Sequence, residues 1–168
     1  LTPAFTPYIE IPKLDRYQFN LIEICADKMT EEGFHTWQYR DEEIDKLKDP
    51  KIKALFVINP NNPPSYAFAP DTVARIVNIV KNDNPNLMVI TDDVYGTFVP
   101  HFRSLMAELP QNTLCVYSFS KYFGGTGWRT AVIALHENNI YDRMIKELPE
   151  DKKEALNERY SSLTLKPE

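Results

Sequence analysis

The chain is predicted to fold as an α/β domain with three layers: a mostly parallel sheet with one antiparallel strand, and helices on both faces. Short continuous apolar runs recur at Ala54 to Ile58, Leu87 to Ile90, Leu114 to Tyr117 and Ala131 to Leu135, the mark of strands covered on both sides. Between the first two lies a segment with Val73, Ile76, Val77 and Val80 at helical spacing, which makes a strand, helix, strand unit. The link into the fourth run is short for a parallel crossover, so that strand should run antiparallel to its predecessor if the two are neighbours.

In chain order, Leu1 to Pro12 is broken by prolines and is expected to be loop with extended pieces. Tyr17 to Cys25 alternates β-branched and aromatic residues and predicts a first full strand, followed by loop or hairpin over Asp27 to Arg40. Ile44 and Leu47, three apart among charges, predict a short surface helix from Asp41 to Lys48, stopped at Asp49-Pro50. Asn59 to Ser65 holds three prolines and must be a turn. The next helix starts at Pro70 with Asp71 in its first turn and ends over Asn82 to Asn86. Leu105 to Leu109 fits one helical turn. His136 to Leu148 and Glu150 to Tyr160 fit two helices split by Pro149.

Composition excludes several classes. With 168 residues, 43% of them hydrophobic, the chain suits one soluble domain, or part of a larger one, and is long enough to bury a real core. The formal charge of -5 and dispersed basic residues give no footprint for a nucleic-acid backbone. No apolar run approaches a membrane span and no signal peptide opens the chain, which makes the cytoplasm the default expectation. Cys25 and Cys115 sit in strand-like runs as small hydrophobes, and three scattered histidines suggest no metal site. A start at Leu1 without methionine is expected of an excised piece.

The chemistry converges on Val116 to Arg129, where a buried strand runs out into two hydroxyls, a lysine, three glycines and an arginine. Ligands of open α/β sheets sit at the carboxyl ends of strands. A lysine there, partly desolvated and near other cations, becomes nucleophilic toward carbonyls, as a Schiff base requires. Ser118, the glycine amides and Arg129 could together hold a phosphate. The same residues also suit a glycine-rich turn with a surface lysine. Ser118-Phe119-Ser120-Lys121 has the Ser-x-x-Lys spacing of penicillin-binding enzymes too, but neither Ser-Asp-Asn nor Lys-Thr-Gly occurs in the chain.

Taken in order, the motifs resemble those of the fold-type I, aminotransferase-like pyridoxal phosphate enzymes. Asn62-Pro63 stands where that family has Asn-Pro-Thr-Gly, Asp92-Asp93-Val94-Tyr95 matches Asp-x-x-Tyr, and Ser118 to Lys121 with Arg129 matches Ser-x-x-Lys and its trailing arginine. The resemblance implies a pyridoxal 5'-phosphate cofactor bound to Lys121 as a Schiff base, with Lys121 moving the substrate's α-proton. It implies that Asp92 keeps the pyridine nitrogen protonated, that Tyr95 and Asn62 donate to the phenolic oxygen, that Ser118 and Arg129 hold the phosphate, and that Phe5 stacks on the ring. Asp93 is left a supporting role. Catalysis would rest on Lys121, Asp92 and Tyr95.

Within the family, Phe5 to Pro12, Asn59 to Ser65, Thr91 to Phe98 and Arg159 to Thr164 look most like the aspartate 4-decarboxylases, which also transaminate aspartate. Pro64-Ser65 in place of Thr-Gly fits that branch, while Ala131 replaces a common glycine. The implied substrate is L-aspartate and the implied assembly a homodimer or larger homo-oligomer. Residues 1–168 would be the central part of the large, cofactor-binding domain, without its small domain or N-terminal segment. A general amino acid aminotransferase and a non-catalytic assembly module are the competing readings; joint presence of Lys121, Asp92, Tyr95 and Arg129 weighs against the latter.

Overall fold

The structure, a computed structural model, describes residues 1–15 and 17–163. The apolar runs become four strands, β1 (Ala54–Ile58), β2 (Met88–Asp92), β3 (Thr113–Ser118) and β4 (Ala131–Leu135). They form one sheet in the order β1-β2-β3-β4, with β1, β2 and β3 parallel and β4 antiparallel to β3, as expected. Two registers fix the faces. Leu55, Val89 and Thr113 pair across the sheet, as do Val57, Thr91 and Cys115; since side chains alternate, these six share one face. Phe56, Ile58, Ile90, Asp92, Leu114 and Val116 share the other.

The first face is the core. A helix, α3 (Pro70–Asn82), lies against it with Ile76, Ile79 and Val80 at most 1% exposed, and Val73 and Val77 pack beside them. Pro70 opens α3 because a first-turn residue has no intrahelical N–H to lose, and Asp83 closes it by donating its N–H to the Ile79 carbonyl. Burying each of these aliphatic side chains is worth roughly 1.5–3 kcal/mol. A shorter helix, α2 (Asp41–Asp45), runs on as a 3-10 turn to Lys48 and contributes Ile44 and Leu47. Arg75 of α3 clamps it through Asp41 at 3.0 Å and Asp45 at 2.7 Å. The single turn α4 (Leu105–Glu108), capped by Ser104, adds Leu105 and Leu109 to the same cluster.

Cover on the second face is thin. Phe56 is 40% exposed and Ile133 of β4 68%, so β1 is not enclosed on both sides. One short helix, α1 (Pro7–Glu10), reaches this face, where Tyr8 lays its ring 5.8 Å from Phe56. Helices therefore occupy both faces, but unequally.

Three expectations change. Leu1 to Pro12 is not all loop: Pro7–Glu10 is helix α1 and Ile11–Lys13 a 3-10 turn, because Pro7 and Pro12 stand in first turns, where no intrahelical N–H is lost. Tyr17 to Cys25 is no strand: only Cys25 bridges, to Thr2, and Phe19, Ile22 and Cys25 itself, expected to be buried, stay exposed. An alternating pattern becomes a strand only where another backbone supplies a ladder, and here that ladder is one bridge long. Asp27 to Arg40, expected as loop or hairpin, contains a minimal hairpin, Met29 bridging His35 around a turn in which Gly33 takes a φ of 85°. The helix expected from His136 is α5 (Ile140–Lys146), because Asn139 caps it by accepting the Asp142 N–H at 2.8 Å. Helix α6 (Glu150–Tyr160) follows Pro149 and buries nothing. Among the described residues no helix is long and apolar enough to cross a membrane. Thr164, the end of one quoted segment, lies outside the described residues.

Candidate active site

Three connections leave the carboxyl ends of the parallel strands, and each is pinned by its own hydrogen bonds. After β1, buried Asn59 donates its N–H to the Asp92 carbonyl at 3.1 Å and accepts the Phe68 N–H through Oδ1 at 3.0 Å. Asn61 donates from Nδ2 to the Pro3 carbonyl at 2.8 Å, and the Ser65 N–H returns to the Asn61 carbonyl at 2.9 Å. This closed turn holds Asn62 and Ser65 outward, with Ser65 in the left-handed region at φ 59°. After β2, the Gly96 N–H bonds the Asp93 carbonyl, and a side chain at Gly96 would meet the Phe102 ring at 2.6 Å. Only glycine lets the chain pass Phe102 at this point.

After β3, the Gly125 N–H reaches the Phe119 carbonyl at 3.2 Å and Thr126 donates to the Ser120 carbonyl at 2.9 Å, closing the loop that carries Lys121. Aromatic rings pack this loop in sequence: Tyr95 to Phe98, Phe98 to Tyr122, Tyr122 to Phe123, Phe123 to Phe119 and Phe119 to Tyr117. The Tyr117 and Thr97 hydroxyls meet at 2.7 Å and join β3 to the connection after β2.

Between these connections lies a cleft of about 540 Å³, its walls including Asn62, Ser65, Tyr95, Phe98, Ser120 and Lys121. Three expected site residues, Asn62, Tyr95 and Lys121, thus come together, and Lys121 Nζ stands 6.0 Å from the centre of the Tyr95 ring. Asp92 ends β2, paired with Ile58 and Val116. Its Oδ1 accepts the Val94 N–H at 3.1 Å and its Oδ2 accepts the Tyr8 hydroxyl at 2.8 Å.

Asp92, Phe5, Ser118 and Arg129 are not on the cleft wall. Ser118 Oγ donates to Ser120 Oγ at 2.9 Å, and Arg129, at φ 51°, donates to the Thr126 carbonyl at 3.2 Å. In the β3–β4 ladder Ser118 pairs with Ala131, two residues after Arg129. Phe5 is 49% exposed and packs edge-on against Tyr8 at 6.0 Å. Asp93 is buried and accepts from Thr91 Oγ1 at 2.6 Å and Cys115 Sγ at 3.3 Å.

Sequence reasoning missed Tyr8, Ser65 and Ser120 as site residues. Each lay inside a quoted segment, but nothing local distinguishes Tyr8: its partner is 84 positions away. Burial, and then the Asp92 carboxylate, push the Tyr8 phenol well above the ordinary tyrosine range.

The family model described as "Aminotransferase class I and II" matches residues 2–155. The chain is 52% identical over 161 residues to a bifunctional aspartate aminotransferase and L-aspartate beta-decarboxylase of a Pseudomonas species, covering 96% of this chain and 29% of that protein. An aspartate aminotransferase of Sulfolobus acidocaldarius is 33% identical over 99 residues, 56% of this chain and 24% of the relative. Among solved structures, the aromatic aminotransferase of Pyrococcus horikoshii superposes with a TM-score of 0.65 at 28% identity, over 86% of this chain and 38% of that one. The chain thus spans less than a third of the length of these two curated relatives. Motif order, sheet topology and the match over nearly all its residues agree: this chain belongs to the class I and II aminotransferases.

Proposed function

We propose that this chain is the central part of the cofactor-binding domain of a pyridoxal phosphate enzyme that removes the β-carboxylate of L-aspartate and also transaminates it. The observation that carries the cofactor reading is the meeting of Asn62, Tyr95 and Lys121 on one cleft, with the Asp92 carboxylate at the end of the neighbouring strand. The cleft's volume lies within the roughly 300–1,000 Å³ of small-molecule sites. Its donor set also suits this cofactor: a primary amine, an amide and a phenol on the wall, and a carboxylate held by two other groups.

Lys121 would hold the cofactor through Nζ, Asn62 and Tyr95 would donate to its phenolic oxygen, and Asp92 would face its pyridine nitrogen. Ser118 and Arg129 would hold its phosphate, and Phe5 would cover a ring face. When bound, pyridoxal 5'-phosphate supplies an electron sink for the charge left on a substrate that loses a proton or a carboxyl group. Nζ of Lys121 is the base that takes the proton from the substrate's α carbon. Asp92, its carboxylate oriented by Val94 and Tyr8, places negative charge where a ring N–H needs an acceptor. Tyr95 and Phe98 pack against each other on the cleft wall. The intact enzyme would act as a homodimer or larger homo-oligomer.

The aspartate reading is supported by the 52% identity to the bifunctional Pseudomonas protein and by the Pro64-Ser65 turn. The wider family match supports a second reading, an aminotransferase of different side-chain preference. The deciding experiment gives the full-length enzyme aspartate without a keto acid acceptor and follows carbon dioxide and alanine. Sustained, equal release of both marks the decarboxylase, since aspartate and one proton yield one alanine and one carbon dioxide. Oxaloacetate from a single turnover marks the ordinary aminotransferase.

A further inference from the structure

Four polar side chains on the cleft wall are uncommitted. Among the described residues, no protein group bonds the Asn62 side-chain amide, the Ser65 hydroxyl, the Tyr95 phenol or the Lys121 amine. Other polar side chains of the wall are engaged: Asn61 donates to the Pro3 carbonyl at 2.8 Å, and Ser120 Oγ accepts from Ser118 at 2.9 Å. Asn62, Tyr95 and Lys121 have roles toward the cofactor. Ser65 has none.

Ser65 also stands where glycine would be easier. Its φ of 59° lies in the left-handed region, which the Cβ of an L-residue disfavours and glycine enters freely. The turn holds it there from both sides: the Ser65 N–H donates to the Asn61 carbonyl at 2.9 Å, and the Asn61 N–H donates to the Tyr66 carbonyl at 2.8 Å. Gln18, Trp37, His101 and Arg129 share this backbone region, but among the described non-glycine residues in it only Ser65 lines the cleft. A side chain on a site wall, at a position that disfavours it, points to work for that side chain.

We propose that Ser65 is a specificity-determining residue whose hydroxyl donates to the side-chain carboxylate of a dicarboxylic amino acid in the cleft. The inference rests on the reading of the cleft as a cofactor and aspartate site. Among the described residues of the wall none is acidic, and Lys121 is the one cation, so a second carboxylate meets donors there and no repelling charge. A neutral hydroxyl suits a carboxylate that must leave. As the bond from the β carbon to the carboxyl carbon breaks, its electron pair stays with the β carbon, which takes a proton, and the carboxyl group departs as neutral carbon dioxide. A guanidinium in the place of Ser65 would hold the charged ground state more tightly than the transition state and slow that step; a hydroxyl orients the group and neutralises little of its charge.

The test uses the full-length protein carrying this chain, with Ser65→Gly and Ser65→Ala. Both variants remove the hydroxyl, but only Ser65→Gly relieves the backbone. The first readout needs no cofactor: in thermal melts of the cofactor-free protein, Ser65→Gly is expected to melt at or above wild type and above Ser65→Ala. The second is ligand recognition by the loaded enzyme. Both variants are expected to raise the KM for aspartate and the Kd for succinate about tenfold, the scale of one hydrogen bond to a charged group. The KM for alanine, an amino donor without a second carboxylate, should stay within about twofold of wild type.

An aspartate KM and succinate Kd within about twofold of wild type in Ser65→Gly overturn the proposal. So does an equal rise for alanine, which would assign the hydroxyl to a part common to both substrates, or a Ser65→Gly protein that melts below Ser65→Ala. The underlying reading fails separately, in the wild type: a loaded enzyme that binds succinate no better than propionate has no site for a second carboxylate, and the proposal falls with it.

Discussion

Asp92 and Asp93, adjacent in the chain, serve opposite faces of the sheet. The Asp92 carboxylate takes the Tyr8 hydroxyl on the open face, while Asp93 is enclosed with Thr91 and Cys115 on the side packed by helices. The strand's alternation makes this division, so two chemically identical groups acquire different work.

The first prediction follows from that division. Asp92→Asn should leave cofactor bound but slow α-proton removal severely, because an amide cannot hold a ring proton by charge. Asp93→Asn should keep most of the rate and lower stability by about 1–3 kcal/mol, since Thr91 Oγ1 and Cys115 Sγ lose a charged acceptor in a buried site. Single-turnover kinetics and thermal melts of both variants check this. Equal kinetic losses would assign the ring nitrogen to the wrong carboxylate.

Borohydride reduction of the intact, cofactor-loaded enzyme should label Lys121 and no other lysine. Lys81, in the last turn of α3, and Lys146, at the end of α5, are the useful controls. Peptide mapping that finds label on either would move the chemistry away from the cleft.

A pH dependence follows from Cys115. Burial, and then the nearby Asp93 charge, push its thiol from the usual 9.0 up to about 12. Between those values the unfolded chain has released the proton and the folded chain has kept it, so stability present below pH 9.0 should decline as pH rises toward about 12. The same protonated thiol should resist iodoacetamide at mildly alkaline pH while exposed Cys25 reacts. Mass mapping of the alkylated protein, with Cys115→Ala melted beside it across that pH range, tests both statements.

Asn84→Ala should cost about 1–3 kcal/mol with no change in cofactor affinity. Its buried Nδ2 donates to the carbonyls of Leu47, Asp49 and Ile52, at 3.1, 3.3 and 3.2 Å, and so joins the end of α3 to the turn that leads into β1. An unchanged melting temperature would show that water replaces all three bonds.

How much of this was legible follows from what each feature depends on. The four strands are written as continuous apolar runs, and α3 as Pro70 and Asp71 followed by a 3.6-residue stripe; each signal is local, and each element appeared. Asn62, Tyr95 and Lys121 were legible because their motifs end strands of one parallel sheet, which carries them to one edge. Exposure of the second face was not legible, because Phe56 looks like Leu55 and Val57 until a neighbour is known. The failed strand over Tyr17 to Cys25 has the same cause, an absent ladder. The present bonds of Arg129 and Ser118 were not legible, since they are made to Thr126 and Ser120 within their own loop.

The linear strand order also bears on how the chain folds. Each strand pairs with the strand next to it in sequence, so the sheet closes comparatively local loops and can assemble early. The bond from Tyr8 to Asp92 closes 84 positions and needs β2 in place before it can form. Asp92 would then acquire its orientation only after the sheet exists. Tyr8→Phe should accordingly leave the folding rate nearly unchanged and hasten unfolding, the behaviour of a contact absent from the transition state.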